Sequence, residues 1–507
     1  MRYFLFAVLF AILVISGNAF AAPVQLTGTD RALEVRGAAS GDALGRPLVC
    51  LDLNGDGFED MVIGKDISDY YGTVPHPLYI FMGKGSFAAK DLVDLSTENA
   101  DVVIFGETGS MNFANSLAAG DVNHDGIPDL VMADSTFSPS GRTGAGVVYV
   151  LFGRTDFFSK TVYDFASGEW DIRIIGALAG DDTGGSSMFG GMICEALACG
   201  DLNNDGIDDL GIGAHLANVS SWSDAGKVFI VFGKSSFTHG TTIDLNTQAN
   251  SVITGNETYG ELGTQVDIGD INGDGIADLV LGEEYGSKGL FTSEGMIFAV
   301  WGRSSFPATL SVSSANLIIK GAAEEDYLGS AVALSDLNRD GVKDLTVTSG
   351  GDAGDVYGFY GKTSFPSVID LASQSADFVI QGYNVENDIG GTLYNGDFNG
   401  DGFGDIMFSS RDGERPGYDT EGRTYILFGK TSLPSTISIQ NEEFDCIING
   451  GMDYYQLGDT IASGDVDGDG ADEILIAAPF VDSGKGRLLV FDLNPRTAVS
   501  SFWNLYE

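Results

Sequence analysis

Short apolar, β-branched runs recur along this chain in a fixed order, each broken off by Gly and Asp. One run reads MVIGK, LVMAD, LGIGA, LVLGE, LTVTS, IMFSS or ILIAA, and the next reads LYIFMG, VYVLFG, VFIVFG, IFAVWG, VYGFYG, YILFG or LLVFD. A third (DVVIFG, DIRIIG, SVITG, LIIKG, DFVIQG, DCIING) precedes a fourth that ends in an acid (SLAAGD, ALACGD, QVDIGD, AVALSD, TLYNGD, TIASGD). Short runs rich in Val, Ile, Phe and Tyr between turn residues predict strands. Four strands in a repeating unit predict a propeller blade.

An acidic stretch separates the fourth run of one unit from the first of the next, and it occurs seven times. The copies are DLNGDGFED (52–60), DVNHDGIPD (121–129), DLNNDGIDD (201–209), DINGDGIAD (270–278), DLNRDGVKD (336–344), DFNGDGFGD (397–405) and DVDGDGADE (465–473). Successive copies start 61 to 80 residues apart. The last unit ends without its outer strand, whereas ALEVRGAASGDALG (32–45) at the start matches later outer strands such as LIIKGAAEEDYLG. Pairing the two ends would close a ring and cover the exposed strand edges. The expected fold is therefore an all-β, seven-bladed propeller of four-stranded antiparallel blades, closed by the N-terminal strand.

A second motif follows the second run: FMGKGSF, LFGRTDF, VFGKSSF, VWGRSSFP, FYGKTSFP, LFGKTSLP. Its apolar slot holds Phe87, Phe157, Phe237, Phe306, Phe365 and Leu433. A residue repeated in every blade reads as an anchor between blades.

The acidic stretches follow D-x-[DN]-x-D-G-x-x-[DE], and all 21 slots at positions 1, 5 and 9 carry a carboxylate. Turn chemistry alone would accept Ser, Asn or Gly there. Oxygen side chains around a sharp Gly turn, with a backbone carbonyl at position 7, instead suit a hard cation of flexible coordination, calcium before magnesium or a transition metal. Up to seven Ca2+ are expected. The side-chain ligands, each set with one carbonyl, would be Asp52, Asn54, Asp56 and Asp60 (Phe58); Asp121, Asn123, Asp125 and Asp129 (Ile127); and Asp201, Asn203, Asp205 and Asp209 (Ile207). The others are Asp270, Asn272, Asp274 and Asp278 (Ile276); Asp336, Asn338, Asp340 and Asp344 (Val342); Asp397, Asn399, Asp401 and Asp405 (Phe403); and Asp465, Asp467, Asp469 and Glu473 (Ala471).

Units such as LGTQVDIGDINGDGIADLVLG resemble the FG-GAP repeats of integrin α subunits and their bacterial relatives, over residues 32 to about 493. The resemblance implies binding rather than catalysis, with calcium loops on one face and ligand contacts on the other. On that face it places Tyr70, Tyr71, Trp222, Tyr259, Tyr285, Tyr327, Tyr418, Tyr454 and Tyr455. Exposed aromatics suit a protein or glycan ligand.

With 72 acidic against 26 basic residues, a net charge of −46 argues against nucleic acid and anionic membrane surfaces as partners. Arg2, an apolar run from Tyr3 to Ile15 and Ala19-Phe20-Ala21 read as a signal peptide, residues 1–21, too short for a membrane span. A propeller over 22–493, a tail over 494–507 and a secreted, extracellular or periplasmic location are then expected. Cys194 and Cys199 are near enough in sequence to bridge, whereas Cys50 and Cys446, inside apolar runs, read as buried thiols. The four histidines (76, 124, 215, 239) form no catalytic motif, so the chain is expected not to be an enzyme. The alternative is an extracellular polysaccharide hydrolase or lyase on a propeller scaffold, because paired carboxylates leave no sequence signature.

Overall fold

The computed structural model describes residues 23–493 apart from 29, 66–76, 86–90, 111, 179–195, 288–292, 352–353, 384–388 and 414–419. Seven sheets form the blades of a propeller. In blade 4 the strands run from the axis outward as Gln265–Gly269, Asp278–Glu283, Met296–Val300 and Leu317–Lys320, each antiparallel to the one before. The other six blades repeat that order. Among the described residues no helix is long and apolar enough to cross a membrane.

Each blade has five strands, not four. The fifth is short, lies parallel on the outer edge, and comes from the next blade along the chain: Thr309–Ser311 covers Ser251–Thr254 of blade 3, and Val368–Asp370 covers Leu317–Lys320 of blade 4. The chain between the third and fourth strand of every blade thus reaches back and shields its predecessor's open edge. Such segments hold only three or four residues and are exposed on one side. Their alternation is too brief to separate from a loop in the sequence.

The same exchange closes the ring. Leu33–Arg36 pairs antiparallel with Arg487–Phe491, with Leu33 opposite Val490 and Val35 opposite Leu488, as the sequence implies. Asp91–Asp94 of blade 1 then covers Leu33–Arg36, while Val24–Thr27 covers Cys446–Asn449 of blade 6. Leu33, Val35, Leu488 and Val490 join Leu44, Met61 and Ile63 of blade 1 in one buried cluster, so the seam is as dry as the other interfaces between blades. Glu34, fully buried in the closing strand, is held by Arg31, Arg36 and Arg487.

The anchor positions behave as expected where described: Phe157 and Leu433 are buried, and Phe237, Phe306 and Phe365 pack against the clusters between blades. Cys50 and Cys446 are buried free thiols. Cys199 is also a free thiol and presses on Gly120 of blade 2; Cys194, the partner its spacing allows, lies outside the described residues.

Because the seam rests on one four-residue strand, Leu33→Ala should cost about 2–5 kcal/mol, the range for a buried leucine truncated in a core. Deleting 23–36 should expose two strand edges, in blades 6 and 7, and convert monomer to aggregate in size-exclusion chromatography. A deletion variant that stays monomeric would contradict closure by these strands.

Candidate metal centres and the opposite face

Each acidic stretch folds as a turn between the first and second strands of its blade. In the first, Asp52 accepts from the N–H groups of Asp56 (3.1 Å) and Gly57 (2.8 Å), and Asp56 accepts from Phe58 N–H (3.0 Å). The same bonds recur in the loops headed by Asp121, Asp201, Asp270, Asp336 and Asp397. Positions 1 and 5 therefore face one another across a half-open turn. Position 3 is pulled in: Asn54, Asn123, Asn203 and Asn272 are buried, and the amides of the last three donate to the position-9 carboxylate.

The acids at position 9 are buried without exception: Asp60, Asp129, Asp209, Asp278, Asp344, Asp405 and Glu473. Asp278 shows why they survive. It accepts from the N–H groups of Ile271 (3.1 Å) and Asn272 (3.1 Å) in its own loop, and of Gly302 (2.9 Å) at the end of the third strand. Gly302 is the glycine of the second sequence motif. An added Cβ there would lie 2.2 Å from the Ala277 carbonyl oxygen, so only glycine brings that N–H within reach.

Burial pushes the position-9 acids up despite these donors. Asp60, Asp209, Asp278 and Asp344 rise to about 7, Asp129 to about 8 and Glu473 to about 9, with neighbouring carboxylates adding to the effect. Asp405 is also raised well above the usual carboxylate range, by burial first.

The donor sets fit a hard cation. They are all oxygen, and buried acceptors are left over: Asn123 Oδ1, Asp465 Oδ1 and Glu473 Oε1 have no hydrogen-bond partner among the described residues. In the seventh loop Asp465, Asp467 and Glu473 can bring one oxygen each within 4.8 Å of one another.

The opposite ends of the same strands carry the aromatic face. Trp222 (39% exposed) and Tyr259 (55%) sit on neighbouring loops tied by Tyr259 N–H to the Ser223 carbonyl (2.8 Å). Tyr285 and Tyr327 are half-buried and meet edge to face at 5.9 Å. Tyr454 (66% exposed) stands apart, between blades 6 and 7. Its neighbour Tyr455 corrects the reading: it is 3% exposed, packed in the core of those blades with its ring 5.9 Å from the Arg487 guanidinium, and it offers nothing to a ligand. Tyr70, Tyr71 and Tyr418 lie outside the described residues.

Sequence reasoning missed a glutamate cluster beside Tyr259 and Tyr285, made of Glu257, Glu261, Glu283, Glu284 and Glu294. Glu283 is buried between the Gly260 and Gly286 backbones, with no hydrogen-bond partner for either oxygen among the described residues; burial, then Glu257, holds it well above the usual range. Burial also raises Glu284 and Glu261 to about 7. The only signal was the pair Glu283-Glu284 after LVLG, unremarked in so acidic a chain.

Comparison with known proteins adds two findings. FG-GAP repeat matches cover residues 113–151, 262–298 and 457–491, which fall on blades 2, 4 and 7. The chain is 26% identical to phosphatidylinositol-glycan-specific phospholipase D of Bos taurus over 395 residues (72% of this chain, 43% of the relative), and 26% identical to that of Dictyostelium discoideum over 427 residues (79% and 44%). It is also 30% identical to integrin alpha-4 of Xenopus laevis over 186 residues, 36% of this chain and 16% of the relative. The chain spans less than half the length of these phospholipase D relatives. The expectation that it is not an enzyme is thereby overturned, since relatives matching most of the chain are named as enzymes.

Two outcomes distinguish the loop positions. Asp278→Ala strands three backbone donors, so it should lower the unfolding free energy by about 2–4 kcal/mol in EDTA as well as in calcium. Asp274→Ala, exposed at position 5, should cost more stability in calcium than in EDTA, where it loses only an exposed hydrogen bond from Ile276 N–H. For sites of roughly 0.1–1 mM affinity, 10 mM calcium adds about 1.4–2.7 kcal/mol per site. A melt unmoved by EDTA would sink the calcium reading.

The raised acids also predict a pH dependence. Their folded pKa values of about 7 to 9 exceed the unfolded value of about 4, so the stability they contribute is complete below pH ~4 and lost as pH rises through 7 to 9. In EDTA the melting temperature should fall from pH 5 to 9. Calcium should flatten that fall, because a bound cation favours the ionised form.

Proposed function

We propose that this seven-bladed propeller of FG-GAP repeats serves a secreted, calcium-dependent hydrolase of the phospholipase D type, as the unit that stabilises the enzyme and recognises the glycan of its substrate. The observation that carries the reading is the alignment with phosphatidylinositol-glycan-specific phospholipases D across 72–79% of the chain. The reaction class is hydrolysis of a phosphodiester that joins a glycan-bearing headgroup to phosphatidate.

The face of blades 3 to 5 supports glycan recognition. Trp222 and Tyr259 offer exposed rings on which a sugar can stack, and the adjoining glutamates accept hydrogen bonds from hydroxyl groups. Calcium in the loops stabilises the fold and lowers a net charge of −46 that otherwise repels a phosphodiester. Residues 1–21 act as the export signal, delivering the chain to a compartment where millimolar calcium fills sites of this kind. A protein ligand on the same face is the second reading, supported by the integrin alpha-4 alignment.

The test is release of a glycosylphosphatidylinositol-anchored reporter from vesicles by the purified secreted protein, with phosphatidic acid measured as product. Trp222→Ala with Tyr259→Ala should reduce release at least tenfold, roughly the 1.4 kcal/mol or more of a binding hot spot, with the melting temperature unchanged. Neither release nor retention on glycan-bearing vesicles would overturn the proposal.

A further inference from the structure

The seventh loop departs from the other six at three places that converge on one point. At position 3 the asparagine, whose amide donates to the position-9 acid in blades 2 to 4, is replaced by Asp467. Beyond the third strand, the register of Phe491 opposite Ile474 places Asp492 where blades 2 and 6 carry Phe152 and Phe428. The next residue, Leu493, then stands where blades 1 to 6 have Gly83, Gly153, Gly233, Gly302, Gly361 and Gly429.

Each of those glycines donates its N–H to the position-9 acid at 2.8–3.0 Å. Each also lies so close that an added Cβ would fall 2.1–2.4 Å from a carbonyl oxygen of its own acidic loop. Leu493 cannot occupy that place. Glu473 keeps only the N–H groups of Val466 (2.8 Å) and Asp467 (3.1 Å), both on Oε2. Its Oε1 is left without a partner among the described residues, in a side chain that is 1% exposed.

Two neutral donors have thus been exchanged for carboxylates or lost, and one more carboxylate has been added. Five acids now share the loop: Asp465, Asp467, Asp469, Glu473 and Asp492. They fall into two groups whose ligand oxygens lie within 4.8 Å of one another, Asp465–Asp467–Glu473 and Asp467–Asp469–Asp492, with Asp467 common to both.

We propose that the seventh loop binds two divalent cations bridged by Asp467, where each of the other loops binds one. Charge matching supports the count. An ordinary loop of three carboxylates is left at −1 by one divalent ion, whereas five carboxylates return to −1 only with two. Ions bridged in this way sit about 3.5–4 Å apart in two-metal centres. Glu473 Oε1 belongs to the inner ion and Asp492 to the outer one. The inference rests on the reading of the acidic stretches as calcium loops.

Equilibrium dialysis with radioactive calcium tests it on the full chain. Wild type should hold one more ion per chain than Asp492→Asn, and one more than Asp467→Asn, which restores the amide of the other loops. Asp492→Phe, which restores the residue type of blades 2 and 6, should also lose one ion and guards against misfolding of the Asn variant, with circular dichroism as the check. Equal ion counts in wild type and all three folded variants overturn the inference and leave the single-ion reading of the loops standing. No calcium bound by wild type overturns both.

Discussion

The hydrogen bond from a motif glycine to the ninth residue of the preceding acidic turn is the constraint on which blades 1 to 6 depend. It ties the turn between the first and second strands to the end of the third, so three strands meet at one buried carboxylate. Gly302 with Asp278 and Gly429 with Asp405 show the same geometry, at 2.9 and 2.8 Å. The two sequence motifs are therefore parts of one device: the acid is buried because the glycine N–H receives it, and the residue is glycine because any Cβ would strike the turn. Positions 1, 3 and 5 leave the solvent side of the device open to a cation, which would offset the cost of keeping the acid ionised in the interior.

Blade exchange distributes the stability that this device begins. Every outer strand is covered by a segment of the next blade, and Val24–Thr27 and Leu33–Arg36 extend the pattern across the seam, so no blade relies on its own residues alone. Covering edges in this way removes the templates on which sheets aggregate. It also means that the ring tolerates no open blade: losing the closing strand uncovers its own sheet and breaks the cover of another.

The parts of this architecture that were legible in the sequence are those repeated many times. Seven acidic stretches, four apolar runs per unit and an orphan strand at 32–36 were enough to give blade count and closure. The fifth strands were not legible, because segments such as Val368–Asp370 offer only three residues and one buried side chain. Tyr455 and Tyr454 are adjacent in sequence and both flanked by polar residues, yet one packs in the core and the other stands in solvent; only the curvature of the loop separates them. Glu283 and Asp492 were hidden by composition, since in a chain with 72 acids no single one draws notice until its surroundings are known. The similarity to phospholipase D relatives was not legible either, because paired carboxylates and aromatic faces are three-dimensional arrangements that leave no short motif.

The acidic turns and the aromatic face are the two ends of the same strands. In blade 4, Asp278 begins the second strand inside the metal loop and Glu283 ends it inside the glutamate cluster, five residues on and about 17 Å away at the usual rise of a strand. A ligand held at the aromatic end would thus be too far from the acidic turn to share a cation with it, and any coupling between the two ends would run through the strand. That separation keeps the carboxylates of the glutamate cluster apart from those of the acidic turn within one blade. It also assigns different costs to damage: a lost position-9 acid loosens the three strands that meet at it, whereas a lost ring on the far face leaves the ring of blades intact.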